Sequence, residues 1–216
     1  MKPTAPLPPP ELDHLVYATR DLGSGIERIQ DLLGVHAAHG GRHPQWGTRN
    51  AILSLGPGRY LEIIAPDPDT APPPSGVLFG LDRMESDLLL TWVVRCADLD
   101  AVATMMQDAG ARPGAIMHGE RKAPDGRLLQ WSLTDPAALP ADGAIPFLIN
   151  WGTSPHPSGS APPGGALDRL AIHCPDADAV TRVVDVLGID VPVLPGNQFA
   201  LEADIIRLDG RRVTLR

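Results

Sequence analysis

The stretch LDHLVYATRDLGSGIERIQDLLG, Leu12 to Gly34, decides the fold. Its first seven residues are mostly apolar and predict a strand. Asp21 is a natural helix N-cap. Ile26, Ile29 and Leu33 then recur at helical spacing, and Gly34 ends the helix. The same pattern returns in LLTWVVRCADLDAVATMMQDAG from Leu89 and in LDRLAIHCPDADAVTRVVDVLG from Leu167. Recurrence on this scale points to a fold assembled from copies of one supersecondary unit.

The segments around the first copy complete the unit. Val35 to His39 is read as a short strand and GGRHPQWG, Gly40 to Gly47, as a loop of chain breakers. TRNAILSLG and RYLEIIAP are two strands joined through Gly56-Pro57-Gly58. The first unit, residues 12–66, is therefore strand, helix, then three strands. Asp67 to Asp87, with its proline cluster, reads as a linker holding a short helix. The second unit covers 88–152. Asp98 caps its helix, which puts Leu99, Val102, Met106 and Ala109 on one face, and RLLQWSL and IPFLINW are its later strands. GTSPHPSGSAPPGGA is a second linker. Residues 165–216 form a third, degenerate unit. Aligned with the first, it sets Asp176 on Asp21, Gly188 on Gly34 and Gly210 on Gly58, so Thr214 falls on Glu62. Thr91 and Arg169 stand where the first unit has His14. The expected class is α+β: tandem βαβββ modules in a cupped, partly closed sheet, with helices outside and a pocket where modules join. Residues 1–11 are expected to be a flexible proline-rich arm.

Composition narrows the function. The 216 residues carry a net charge of -8. No basic stripe is present, which argues against a nucleic-acid partner. No apolar run is long enough to span a membrane, and the first residues lack the apolar core of a secretory signal. Cys96 and Cys174 show no metal-binding spacing and are expected to be buried thiols in a reducing cytoplasm. No nucleophile elbow, phosphate loop or dinucleotide fingerprint appears in a suitable strand–helix context.

Two residues of the first unit are the candidates for chemistry. His14 lies in the first strand, sharing a face with Leu12 and Val16 by simple alternation. Glu62 lies among apolar residues in YLEIIA, where a charge needs a partner such as Arg49 or a ligand. Arg42 and His43 precede Thr48, Arg49 and Asn50. Arginine suits a small acid's carboxylate or phosphate, and the asparagine amide offers a donor and an acceptor. The loop 40–47 is expected to wall the pocket with His43 and Arg49 turned inward. Arg121 and Trp131 are candidates for an anion clamp and an apolar wall. Trp92 and Trp151 are read as core before site, with the tryptophans of the second unit's strands open as pocket lining, and His36, His39 and His156 as facing solvent.

A repeated βαβββ unit with His on its first strand and Glu on its fourth resembles the vicinal oxygen chelate superfamily. GGRHPQWGTRNAILSLGPGRYLEIIAPDP and IPFLINWGTSPHP resemble, more narrowly, the glyoxalase-like domain family. The resemblance implies lyase- or isomerase-type chemistry at vicinal oxygens of a small metabolite, which the arginines lead one to expect to be anionic. Glu62 would serve as ligand or base, and His14 as ligand or orienting group. It also implies a single divalent ion (Zn, Ni, Mn or Fe) on His14 and Glu62. His43, His118 and His173 are open as a third ligand, and the second unit supplies no matching pair. One alternative is a metal-free module that sequesters a small molecule; another is an extradiol-type dioxygenase. A homodimer fits the family. A protein lacking the second ligand pair is expected to hold less than one tightly bound metal per chain.

Overall fold

The computed structural model describes residues 7–122 and 126–216. The first six residues of the expected arm lie outside it, and the arm's last residue, Glu11, already belongs to a strand. The first unit contains β1 (Glu11–Ala18), α1 (Leu22–Leu33), β2 (Ala38–His43), β3 (Thr48–Ser54) and β4 (Tyr60–Pro66). The second contains β5 (Leu88–Arg95), α2 (Leu99–Asp108), β6 (Ile116–Lys122), β7 (Leu128–Thr134) and β8 (Phe147–Asn150). Together they form an eight-stranded curled sheet in the order β2-β3-β4-β1-β5-β8-β7-β6. Each half has its first strand parallel to its last, and β1 and β5 pair antiparallel at the centre. The sheet curls until its two edge strands meet, where the Arg121 guanidinium of β6 donates to the Gly40 carbonyl of β2 at 2.5 Å.

Local chemistry accounts for the helices. Asp21, Asp98 and Asp176 each accept a backbone N–H from the first turn of a helix, at 2.8, 2.9 and 3.1 Å. Gly34 and Gly188 close two of them in the left-handed conformation that side chains disfavour. The apolar faces of α1 and α2 pack on the convex side of the sheet with Leu15, Tyr17, Leu53, Leu61, Trp92 and Leu148. A second, smaller core fills the concave side and includes Val16, Ile64, Val93, Trp131 and Phe147.

Strand β1 departs from simple alternation. Leu12 faces the convex core and Val16 the concave one, although four residues separate them. The register against β5 slips between Leu12 and His14, so Asp13 is an extra, bulged residue. The bulge turns Asp13 and His14 to the same neighbourhood, which strict alternation forbids.

Three further segments depart from the sequence reading. Half of the expected loop 40–47 is edge strand β2, and Pro44–Trp46 is one turn of 3-10 helix before Gly47. IMHGERK, which shows no apolar pattern, forms edge strand β6, wet on most of its side chains. The linker 67–87 also does more than connect. Its short helix Leu78–Arg83 buries Leu78 and Leu81 in the concave core and thus plugs the cup.

The remaining chain forms β9 (Ala166–Cys174), α3 (Ala177–Leu187), β10 (Val193–Pro195), β11 (Ala200–Ile206) and β12 (Arg212–Leu215). Its element order copies the other units, but its sheet order is β10-β9-β11-β12. The last strand sits at the edge, not beside the first, and Thr214 pairs opposite Asp204. Thr214 is therefore not the counterpart of Glu62, because a gapped alignment fixes sequence order but not strand order. This sheet and α3 close over the convex core, with Val180, Val184, Leu201 and Ile205 joining it. Among the described residues no helix is long and apolar enough to cross a membrane.

The plug should contribute strongly to stability. Leu81 is fully buried, so Leu81→Ala is expected to cost about 2–5 kcal/mol by urea unfolding monitored through tryptophan fluorescence. A loss under about 1 kcal/mol would show that the plug packs loosely.

Candidate functional site

The concave side holds a pocket of about 50 Å³ lined by His14, His43, Asn50, Tyr60, Glu62, Arg121, Trp131, Phe147 and Trp151, among others. On β3 and β4, Asn50 and Glu62 project inward because Ile52 stands opposite Glu62 and Asn50 lies two residues before it. The Asn50 amide donates to Glu62 Oε1 at 2.5 Å. Glu62 Oε2 faces His14 Nε2 at 3.8 Å. Behind His14, its Nδ1 meets Asp13 Oδ1 at 2.6 Å. The other Asp13 oxygen receives the Trp151 indole N–H at 3.1 Å and contacts His156 Nε2 at 2.9 Å.

Asp13 is fully buried. Burial alone would raise its pKa, but hydrogen bonds and charge from His14 and His156 outweigh it and hold the carboxyl well below its ordinary range. The Tyr60 ring stacks on His14 with centroids 4.3 Å apart. Burial, then the charges of Asp13 and Glu62, push the Tyr60 hydroxyl pKa far up, so it stays a neutral phenol. His43 is buried between Trp46 and Trp131 and contacts Thr48 Oγ1 at 3.2 Å. Burial lowers its pKa from 6.5 to about 4, against an opposing pull from Glu62. Arg121 is also buried, and desolvation lowers its pKa while nearby Tyr60 and Glu62 raise it.

Two glycines on β2 make this packing possible. A Cβ on Gly40 would lie 2.2 Å from Asn50 Oδ1, and one on Gly41 would lie 2.9 Å from Arg121 Cδ. Any larger residue would displace the side chains that line the pocket.

The structure brings together His14, Glu62, His43, Asn50, Arg121 and Trp131 of the residues expected from sequence. Arg49 is not among them. It sits one residue off the inward register and lines a separate cleft with Leu22 and Arg42, so the expectation that it turns inward or pairs with Glu62 is corrected. Of the suggested third ligands, His43 lines the pocket. His118 is exposed beside Ser132, and His173 lies in the other sheet. His156, expected in solvent, is only 22% exposed because it bonds Asp13. Trp151 lines the pocket, whereas Trp92 is core and bonds the Ala144 carbonyl. Sequence reading missed Asp13, Tyr60 and Phe147. Asp13 was open to the argument made for Glu62, a charge in an apolar strand. Tyr60 and Phe147 gave no signal beyond ordinary core residues.

The second half carries different residues at the equivalent places. Thr91 stands where His14 does and bonds the Gly143 carbonyl. Val93 corresponds to Val16 and pairs with Phe147 as Val16 pairs with Glu62, so Phe147 replaces the carboxylate. The model of the glyoxalase-like domain family matches residues 12–188. The chain belongs to the glyoxalase-like domain family. A hypothetical protein from Staphylococcus aureus is similar over 96% of this chain and 99% of its own, with TM-score 0.66 and 14% identity. Methylmalonyl-CoA epimerase from Mycobacterium tuberculosis covers 69% of this chain and 90% of its own, with TM-score 0.42 and 21% identity. A search of curated proteins returns no match.

The site of this glyoxalase-like domain does not fit the metal that the resemblance implies. His14 Nδ1 is engaged by Asp13 and Glu62 Oε1 by Asn50. Among the described residues no three His, Cys, Asp or Glu side chains are grouped to hold an ion. Two donors fall short of the three or four usual for zinc.

His43 makes stability depend on pH. The unfolded chain binds its proton near 6.5, whereas the folded protein resists until about 4. Stability is therefore fully present above about 6.5 and falls as pH drops toward 4, by roughly 3 kcal/mol in total. The contribution of Asp13 is lost only below its ordinary 3.8. Urea midpoints of His43→Gln, compared with the parent between pH 7 and 4.5, should show a flatter profile. Parallel profiles would mean that buried His43 is protonated normally.

Proposed function

We propose that this protein is an isomerase- or lyase-type enzyme that moves a proton on carbon beside a carbonyl in a small anionic metabolite. One observation carries the reading: His14 Nε2 and Glu62 Oε2 face each other at 3.8 Å on one wall of a pocket. Asp13 takes the Nδ1–H of His14, which leaves Nε2 with a lone pair toward the pocket. Asn50 holds one Glu62 oxygen and leaves the other to act.

The spacing selects the stereochemistry. Bases 3.8 Å apart on one face approach a substrate from the same side, so the proton removed from one carbon is delivered to the neighbouring carbon on that same face, and return to its own carbon gives only exchange with solvent. Inversion needs bases on opposite faces, and the opposite half offers Thr91 and Phe147 instead. Negative charge that develops on the carbonyl oxygen is met by Arg121, whose buried guanidinium acts at low local dielectric. Neutral His43 and the Trp131 ring shape the wall and exclude water. A cavity near 50 Å³ admits only a few water-sized groups, so the reacting end must be small.

The competing reading is a metal-free module that binds a small molecule without chemistry. Replacement of the second pair by Thr91 and Phe147 favours it. The readings separate in D₂O, where three- and four-carbon 2-oxo and 2-hydroxy acids are followed by proton NMR. Enzyme-dependent loss of a C–H signal is expected, and Glu62→Gln and His14→Gln should each slow it by about 100-fold or more. Saturable binding of these acids with no exchange would instead establish the sequestering module.

A further inference from the structure

Arg121 borders three cavities. It lines the inner pocket and also two clefts outside it, of about 870 and 470 Å³. All meet at the seam where β6 approaches β2. Asn50 lines both the inner pocket and the larger cleft. The seam is therefore the common boundary of a narrow reactive chamber and a roomier outer space.

The larger cleft is basic, although the whole chain carries -8. Among the described residues, His39, Arg42, Arg49, Arg121 and Lys122 line it against one acid, Glu120. Arg42 is already engaged by Asp67 and Asp69. Asp21, whose pKa is lowered first by its hydrogen bonds from Ser24, also feels the charge of Arg49, but among the described residues the Arg49 Nε is buried without a hydrogen-bond partner. Asn50, 4% exposed, likewise has an Oδ1 without a partner among the described residues. Unsatisfied buried polar atoms are uncommon, and two on adjacent residues at one cleft call for a ligand that satisfies them.

We infer that the seam cleft binds the anionic handle of a two-part substrate, whose small reactive end enters the inner pocket past Arg121 and Asn50. The handle is a phosphate-class polyanion. A lone carboxylate needs one arginine, whereas this cleft spreads several cations over a wide, open surface, which suits more than one negative charge. A donor on the handle's linker satisfies Asn50 Oδ1, and a phosphate oxygen accepts from Arg49 Nε. The inference rests on the proposed proton-transfer reading for the identity of the reactive end, but the cleft can be tested without turnover.

Pyrophosphate is the probe, titrated calorimetrically into the full chain at low ionic strength. Saturable one-site binding is expected, with acetate giving none at the same concentration. Arg49→Gln should weaken pyrophosphate binding by about tenfold or more, and Lys122→Gln should weaken it less. Arg212→Gln on the far sheet should leave it unchanged and controls for net charge. Absence of saturable binding, or equal weakening by Arg212→Gln, would overturn the handle site. Circular dichroism of Arg49→Gln confirms folding, and the Lys122→Gln result stands by itself if that variant unfolds. Proton exchange on small acids reports separately on the inner pocket, so either conclusion can fail alone.

Discussion

A buried carboxylate organises this site. Asp13 has no access to water, and an ion in such a place is tolerated only when its oxygens are fully engaged. Two imidazoles and an indole provide that engagement, and they come from β1 and from the segment after β8. The Arg95 guanidinium lies further off, at 3.8 Å. The requirement works in both directions. His14 is held by Asp13, and the segment after β8 that carries Trp151 and His156 is drawn onto the cup because Asp13 must be satisfied.

The division of labour between the two halves follows from what each places on the concave wall. The backbone is pseudo-symmetric, with matching strand orders around the β1–β5 pair. The chemistry is not. One half presents imidazole and carboxylate, and the other presents a hydroxyl turned to backbone and a phenyl ring. The pocket is therefore polar and ionisable on one wall and, apart from Arg121, apolar on the other. The asymmetry also removes the donors that a symmetric metal site would need.

Much of this was legible in sequence, for identifiable reasons. Helix caps, helix faces and the β3–β4 hairpin follow from local patterns, and the structure has them where Asp21, Asp98 and Gly34 place them. The pairing of His14 with Glu62 on one face followed from the family resemblance and not from the alternation count. That count assigned Leu12 and His14 to one face, and the bulge at Asp13 breaks it. His156 was unreadable because its partner lies 143 positions away. Strand β6 was unreadable because an edge strand that faces water needs no apolar alternation. The order of the last sheet was unreadable because sequence periodicity carries no information on which strands pair.

The central β1–β5 pairing has a kinetic consequence. It joins Glu11 to Arg95, residues far apart in the chain, and contacts of that kind form slowly because loop closure precedes any gain from them. Until they form, each half exposes the inner edge of its first strand, rich in Leu and Val, as a template for the wrong neighbour. The bulge belongs to the same pairing. A chain that mispairs by one residue there would keep a plausible sheet yet rotate Asp13 and His14 away from the cup. Material that looks native by secondary structure would then lack the wall on which His14 and Glu62 meet.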